Sequence, residues 1–254
     1  MNVLVGATGL FGKTISEKVL FSYKFSTLNI KSFSDLNDKN IENMYLCCLQ
    51  SKKYLVDEKP ENDLDNIFSI VNHIKKVKPK NVILISTIDV YNNSPIYLNE
   101  DYIPKHKNPS YGSNRYFFET LIKNTFIESN VYIFRFPGVF GKFFKKNIFY
   151  DMINNNRLEY INVNSMHQWY DLNELNDDIE FFKNKYKGHN TFNLFSEPVE
   201  TKEIIEKIFP HKKIDFFDER IEFNYLSKFY DNHYRFSKDD ILLRMHNFAS
   251  NYKK

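Results

Sequence analysis

Glycine is scarce in this chain, with seven among 254 residues. Cysteine is rarer, two residues side by side at Cys47 and Cys48, and tryptophan occurs once. Neighbouring strand residues point to opposite faces of a sheet, so the cysteines of "NMYLCCLQ" read as two buried thiols, not as a disulfide or a metal site. Such thiols fit a reducing compartment. No apolar run approaches the roughly 20 residues that cross a bilayer. "MNVLVG" enters a strand with no basic segment leading into an apolar one, so no secretory signal is expected. The expected location is the cytoplasm, away from membranes. Neither sign of charge dominates, since 35 Lys+Arg against 32 Asp+Glu leave +3. That balance gives no basis for a nucleic-acid partner.

What is present fits a globular protein, with 42% hydrophobic and 26% charged residues. Aromatics reach 17%, which reads as compositional drift and not as a function. The length suggests one large domain, or one domain with an appended lobe. Apolar strand-like runs fall at 2–5, 26–30, 44–49, 81–86 and 131–136. Helical spacing occupies 10–21, 63–78 and 111–126. Strands alternating with helices predict βαβ units and a parallel sheet covered on both faces. After Pro137 the rhythm loosens. Residues 145–156, 172–186, 201–209 and 237–252 read as helices, and 157–163 and 190–195 as strands.

Three of the seven glycines cluster in "VGATGLFGK" at positions 6, 9 and 12. They follow a strand and open a helix, which gives each a mechanism. Gly6 permits the tight turn, Gly9 lets the backbone approach a pyrophosphate, and Gly12 lets the helix pack close to the sheet. The helix N-terminus then faces the phosphates. The second strand ends in "NIKS" with no carboxylate for a ribose hydroxyl. Lys31 and Ser32 stand where a 2′-phosphate would be received, so NADP is favoured and NAD is the alternative.

The spacing G-x-x-G-x-x-G with Thr8 inside it resembles that of the extended short-chain dehydrogenase/reductases, the NAD-dependent epimerase/dehydratase group. Further matches follow in order: "ISTIDVY" (85–91), "YGSNR" (111–115), "RFPGVFG" (135–141), "HQWYDLNEL" (167–175) and "NTFNLFSEPVETKEIIEKI" (190–208). The resemblance covers residues 1 to about 210, and nucleotide-sugar 4-keto reductases and epimerases are nearest in style. It implies a Rossmann-type doubly wound parallel sheet at 1–140 and a small C-terminal substrate-binding lobe at 141–254. Residues 171–195 are expected to return to the sheet.

The resemblance also implies roles. Tyr111 would be the acid/base, Arg115 would lower its pKa and hold the nicotinamide ribose, and Thr87 would orient the substrate oxygen. Cofactor contacts would fall on Gly6, Thr8, Gly9, Leu10, Phe11, Gly12, Cys48, Leu49, Tyr111, Arg115, Pro137, Gly138 and Val139. No metal is implied, and a homodimer through the helix of Tyr111 is the family habit. Three departures stand out. Arg115 replaces the family's Lys and cannot relay a proton. Gly138 and His167 replace an Asn and an Arg that often contact the nucleotide sugar. Only one carboxylate, Asp89, follows Thr87 where dehydratases carry two, which disfavours dehydration. Two functions are therefore open: an NAD(P)-dependent reductase or epimerase on a nucleotide sugar, and a non-catalytic dinucleotide-binding scaffold.

Overall fold

The computed structural model describes residues 1–26, 30–37, 39–92, 97–212, 214 and 220–252, with the side chains of 30–32 outside that description. The strands are β1 (Asn2–Val5), β2 (Tyr23–Phe25), β3 (Asn43–Leu46), β4 (Asn81–Thr87), β5 (Asn130–Phe136), β6 (Gly138–Phe140), β7 (Met166–His167), β8 (Trp169–Asp171), β9 (His189–Asn193) and β10 (Val199–Glu200). The helices are α1 (Leu10–Lys18), α2 (Lys53–Glu58), α3 (Pro60–Ile74), α4 (Tyr111–Thr125), α5 (Ile148–Asn154), α6 (Leu175–Lys185), α7 (Thr201–Ile208) and α8 (Lys238–Asn251). Among the described residues no helix is long and apolar enough to cross a membrane.

The chain divides into two compact units. The first comprises 1–92, 103–135 and 175–192, and the second 93–102, 136–174 and 193–254. A six-stranded sheet in the order β2-β1-β3-β4-β5-β9 runs through the first unit. β1 pairs in parallel with both β2 and β3, and β3 with β4. The order reverses at β1, so the crevice beyond the carboxyl ends of β1 and β3 is where such sheets take ligands.

Alternation along the strands explains why both faces are covered. Val3, Val5, Met44, Leu46, Val82, Leu84, Val131 and Ile133 bury one face with Ile67 and Ile74 of α3 and Phe118 and Ile122 of α4. The intervening Leu4, Tyr45, Ile83, Tyr132 and Phe134 are buried on the other face. There the Phe134 ring meets Phe182 of α6.

The amino end of the sheet carries a ladder of carboxamides. Asn2, Asn43, Asn81 and Asn130 each open their strand. Asn43 donates to Asn2 Oδ1 at 2.8 Å, Asn81 to Asn43 Oδ1 at 3.0 Å, and Asn130 to Asn81 Oδ1 at 3.0 Å. The row continues at both ends. Asn2 donates to the Leu20 carbonyl, and the Gly188 N–H ahead of β9 donates to Asn130 Oδ1.

The second unit holds a parallel pair, β6 with β8, and an antiparallel pair, β7 with β10. Rings pack its interior, with Phe149 against Phe140, Phe144, Trp169, Phe209 and Phe248. Ser237 caps α8 by accepting the Asp240 N–H.

Two expected strands are corrected. Among the described residues the second strand is Tyr23–Phe25, whose Phe25 carbonyl accepts the Gly6 N–H, and neither Ser26 nor Ile30 of the expected 26–30 run is in a strand. Residues 27–29 lie outside the described residues, and 30–36 form a 3-10 turn. At 157–163 the chain makes a 3-10 turn at Leu158–Tyr160, entered through Arg157 at φ 50°, and this left-handed entry breaks an extended run.

Candidate active site

The glycine turn connects β1 to α1. Gly6 has φ +95°, and a Cβ there would lie 2.2 Å from the Cys47 carbonyl oxygen. A Cβ on Gly12 would lie 2.3 Å from the Gly6 oxygen, so any side chain would force α1 off the turn. Gly9 is different, because the nearest atom to its added Cβ is 3.5 Å away. Neither turn geometry nor packing demands glycine there. Gly9 is also the N-cap of α1, which has no side-chain cap and no acid in its first turn. An anion at that helix end meets backbone N–H groups and the positive end of the helix dipole. Thr8 is exposed within the turn, and Leu10 and Phe11 open the helix half-buried. These residues fit the diphosphate of a dinucleotide.

Cys48 and Leu49 follow β3 and reach the same end of the sheet through Cys47, whose N–H donates to the Val5 carbonyl. Both thiols are free. Burial raises the pKa of Cys47 and pushes Cys48 up to about 12, so neither is a thiolate at neutral pH.

Tyr111 is the first residue of α4. Ser110 and Ser113 cap that helix reciprocally, and the Tyr111 N–H donates to Asp57 Oδ1 at 2.7 Å. A Cβ on the next residue, Gly112, would lie 2.1 Å from the Asp89 carbonyl, so glycine lets α4 seat against the turn that follows Thr87. Four residues on, the Arg115 guanidinium lies 4.5 Å from the Tyr111 ring centroid.

That guanidinium is committed. Nη1 donates to Asp63 Oδ2 at 2.7 Å, and Nη2 to Asp63 Oδ1 at 3.2 Å and to the Gln50 carbonyl at 2.6 Å. Arg115 and Asp63 are each 5% exposed. Arg115 acts on the Tyr111 pKa in the expected direction, yet the net shift is upward. Burial is the largest influence and raises it, Arg115 offsets part of this through its charge and a hydrogen bond, and Asp89 and Asp63 add to the rise. Tyr111 is a neutral phenol at physiological pH.

Thr87 closes β4. Its hydroxyl donates to Asp89 Oδ2 at 3.0 Å and accepts the Asp89 N–H at 3.2 Å. One turn behind, the buried Glu119 accepts from Ser86 at 2.5 Å and from Arg135 Nη2 at 2.6 Å, and Arg135 Nη1 donates to Tyr91 at 2.9 Å. Tyr111, Arg115, Glu119 and Lys123 thus form an i, i+4 polar stripe along α4, which Lys123 ends by donating to Thr191.

Of the remaining expected residues, Pro137, Gly138 and Val139 belong to the second unit. A Cβ on Gly138 would approach the Trp169 ring to 3.1 Å, which accounts for glycine in place of a longer residue. His167 has its Nε2 2.8 Å from Ser165 Oγ and stacks on Phe223. Burial lowers its pKa to about 4, so it is neutral. Lys31 and Ser32 have backbone in the 3-10 turn, but their side chains lie outside the described residues. Asp57, Asp63, Glu119, Arg135 and Gly112 were not singled out for roles from the sequence. Arg135 and Gly112 do lie inside the motif stretches "RFPGVFG" and "YGSNR", whereas nothing in the spacing of α3 marks Asp63 as buried.

The fold is similar to that of solved nucleotide-sugar epimerases and reductases. UDP-glucose 4-epimerase from Bifidobacterium longum, solved with NAD+ and UDP, superposes with a TM-score of 0.74 at 13% identity, covering 99% of each chain. A dTDP-4-dehydrorhamnose reductase from Yersinia enterocolitica gives 0.72 at 13% identity over 98% of each chain. RMD from Pseudomonas aeruginosa, solved with NADPH, gives 0.68 at 17% identity over 97% of this chain and 92% of its own. No protein-family model matches the sequence, and no curated protein is similar to it.

Proposed function

We propose that the chain is an NAD(P)-dependent reductase or epimerase acting on a keto or hydroxyl carbon of a nucleotide sugar, with the second unit as its substrate-selecting lobe. The observation that carries this reading is Gly9, whose glycine identity serves neither turn nor packing and leaves a cradle at an uncapped helix end. Similar folds solved with NAD+, NADPH and UDP support it. The proposed cofactor contacts in the first unit are Gly6, Thr8, Gly9, Leu10, Phe11, Gly12, Cys48 and Leu49. When bound, the nicotinamide supplies or accepts a hydride at its C4. Tyr111 holds a phenolic proton at neutral pH and is the group that delivers it to a substrate oxygen. Arg115 fixes and tunes that phenol, and Thr87 orients the oxygen. The carbonyl end of β2 carries Phe25 and Ser26 and no acid, which keeps NADP as the preferred cofactor over NAD. Parallel titrations of NADPH and NADH at one salt concentration test this, and a smaller Kd for NADH would reverse it.

The non-catalytic reading is favoured by one observation, the engagement of both terminal nitrogens of Arg115 by Asp63 and Gln50. Comparing wild type with Arg115→Lys against UDP- and dTDP-sugars separates the readings. A parent that binds NADP(H) yet turns over none of them is a scaffold. A homodimer through α4 is proposed from the family habit, and sedimentation of the purified chain decides it.

A further inference from the structure

Thr87 and Asp89 are joined by two hydrogen bonds whose directions are fixed by chemistry. A carboxylate only accepts, so the Thr87 hydroxyl must be the donor to Asp89 Oδ2, at 3.0 Å. The Asp89 N–H is a donor, so Thr87 Oγ1 accepts it, at 3.2 Å. Lys53 of α2 donates to the other carboxylate oxygen, Oδ1, at 2.8 Å, in a pair that is partly open to solvent. A hydroxyl has one proton and two lone pairs. In Thr87 the proton is committed to Asp89 and one lone pair to the Asp89 N–H. A ligand oxygen approaching Thr87 finds one remaining lone pair and no hydrogen.

We infer that Asp89 is a specificity-determining residue which, acting through Thr87, makes this site select a sugar carbon in its alcohol form over the ketone form. The inference rests on the nucleotide-sugar reading of the site. A ligand hydroxyl donates to Thr87 and accepts the phenolic proton of Tyr111, which satisfies all three oxygens. A ligand carbonyl accepts from Tyr111 but faces Thr87 lone pair to lone pair, and one polar group stays unpaired. Leaving a partly buried polar group unpaired costs about 1–3 kcal/mol, or about 5- to 150-fold in affinity.

The test is calorimetric binding of matched ligands that differ only at C4: UDP-6-deoxyglucose against its 4-keto form, and the same pair on dTDP. Purified chain is used without added nicotinamide, so no turnover contributes. The expected result is at least about tenfold tighter binding of the hydroxyl member. Asp89→Ala returns the Thr87 proton to the ligand, and the ratio should fall to near one. Asp89→Asn serves as a second variant, since its amide N–H can face Thr87 and free the same proton. Lys53→Met leaves the Thr87–Asp89 bond and should keep the parental ratio. Tighter binding of the keto member by the parent overturns the inference, as does a ratio unchanged in both Asp89 variants. If neither member of either pair binds, the nucleotide-sugar reading falls and takes the inference with it. Binding with an insensitive ratio removes the inference alone.

Discussion

Arg115 and Asp63 form a two-pronged ion pair, Nη1 to Oδ2 at 2.7 Å and Nη2 to Oδ1 at 3.2 Å, with both side chains 5% exposed. The pair joins α3 to α4 directly beneath the Tyr111 ring. The guanidinium still lowers the pKa of the phenol through its charge and a hydrogen bond, but burial raises it by more. A cation at this position therefore need not produce a phenolate.

Removing one member of a buried pair leaves the other unpaired, at a cost of about 3–5 kcal/mol. Asp63→Ala is expected to lower unfolding free energy by that amount in denaturant melts. Asp63→Ala combined with Arg115→Leu should recover part of it, because no charge remains stranded. A double variant as unstable as the sum of the two singles would contradict the coupling.

Gly9→Val is expected to fold, since its added Cβ has no neighbour nearer than 3.5 Å. It should nonetheless lose the rise in Tm that NADP(H) produces by mass action in the parent. The check is a thermal-shift series with and without NADPH. Retention of the full shift in Gly9→Val removes the phosphate-loop assignment.

Tyr111→Phe deletes the proposed acid while keeping its ring against Arg115. Turnover is expected to fall about 10²- to 10⁴-fold with NADP(H) affinity nearly unchanged. Tyr91→Phe should act on stability instead. It takes from the buried Arg135 the acceptor of its Nη1, a loss of about 1–3 kcal/mol. Near-normal turnover in Tyr111→Phe would end the acid/base assignment.

His167 has its folded-state pKa lowered to about 4 from an ordinary 6.5. The unfolded chain thus binds a proton there that the folded chain refuses. The stability His167 contributes is complete above pH 6.5 and is lost as pH falls from 6.5 to about 4, by at most about 3 kcal/mol. Denaturant midpoints between pH 7 and 4 should decline less steeply in His167→Gln than in the parent.

Much of this was legible in sequence because it depends on periodicity and on glycine. "NVILIS" reads as a buried parallel strand, and the glycine triplet reads as a strand-to-helix turn; the structure has β4 and the Gly6 turn there. The position of β2 was not legible. Its three residues carry too little pattern to outweigh the apolar "STLNI" after it. The partners of Arg115 and Arg135 were hidden for a different reason. Buried charges on α3 and α4 look like solvent-facing residues when only spacing is read, and pairing across 52 residues leaves no local trace. Likewise, Arg115 alone says that a cation is present and not that burial outweighs its effect on Tyr111.

The carboxamide ladder at the amino end of the sheet has a direction. Each Asn points its nitrogen toward β2 and its oxygen toward β9. Head-to-tail donors and acceptors polarise one another, so each link strengthens the next. Slipping any one strand by a residue would carry its Asn to the opposite face and cut the row in two. The ladder therefore acts as an alignment gauge for the whole sheet. The loops at the opposite end, where Gly6, Cys48, Thr87 and Tyr111 sit, inherit their relative heights from a row of amides at the far ends of the strands.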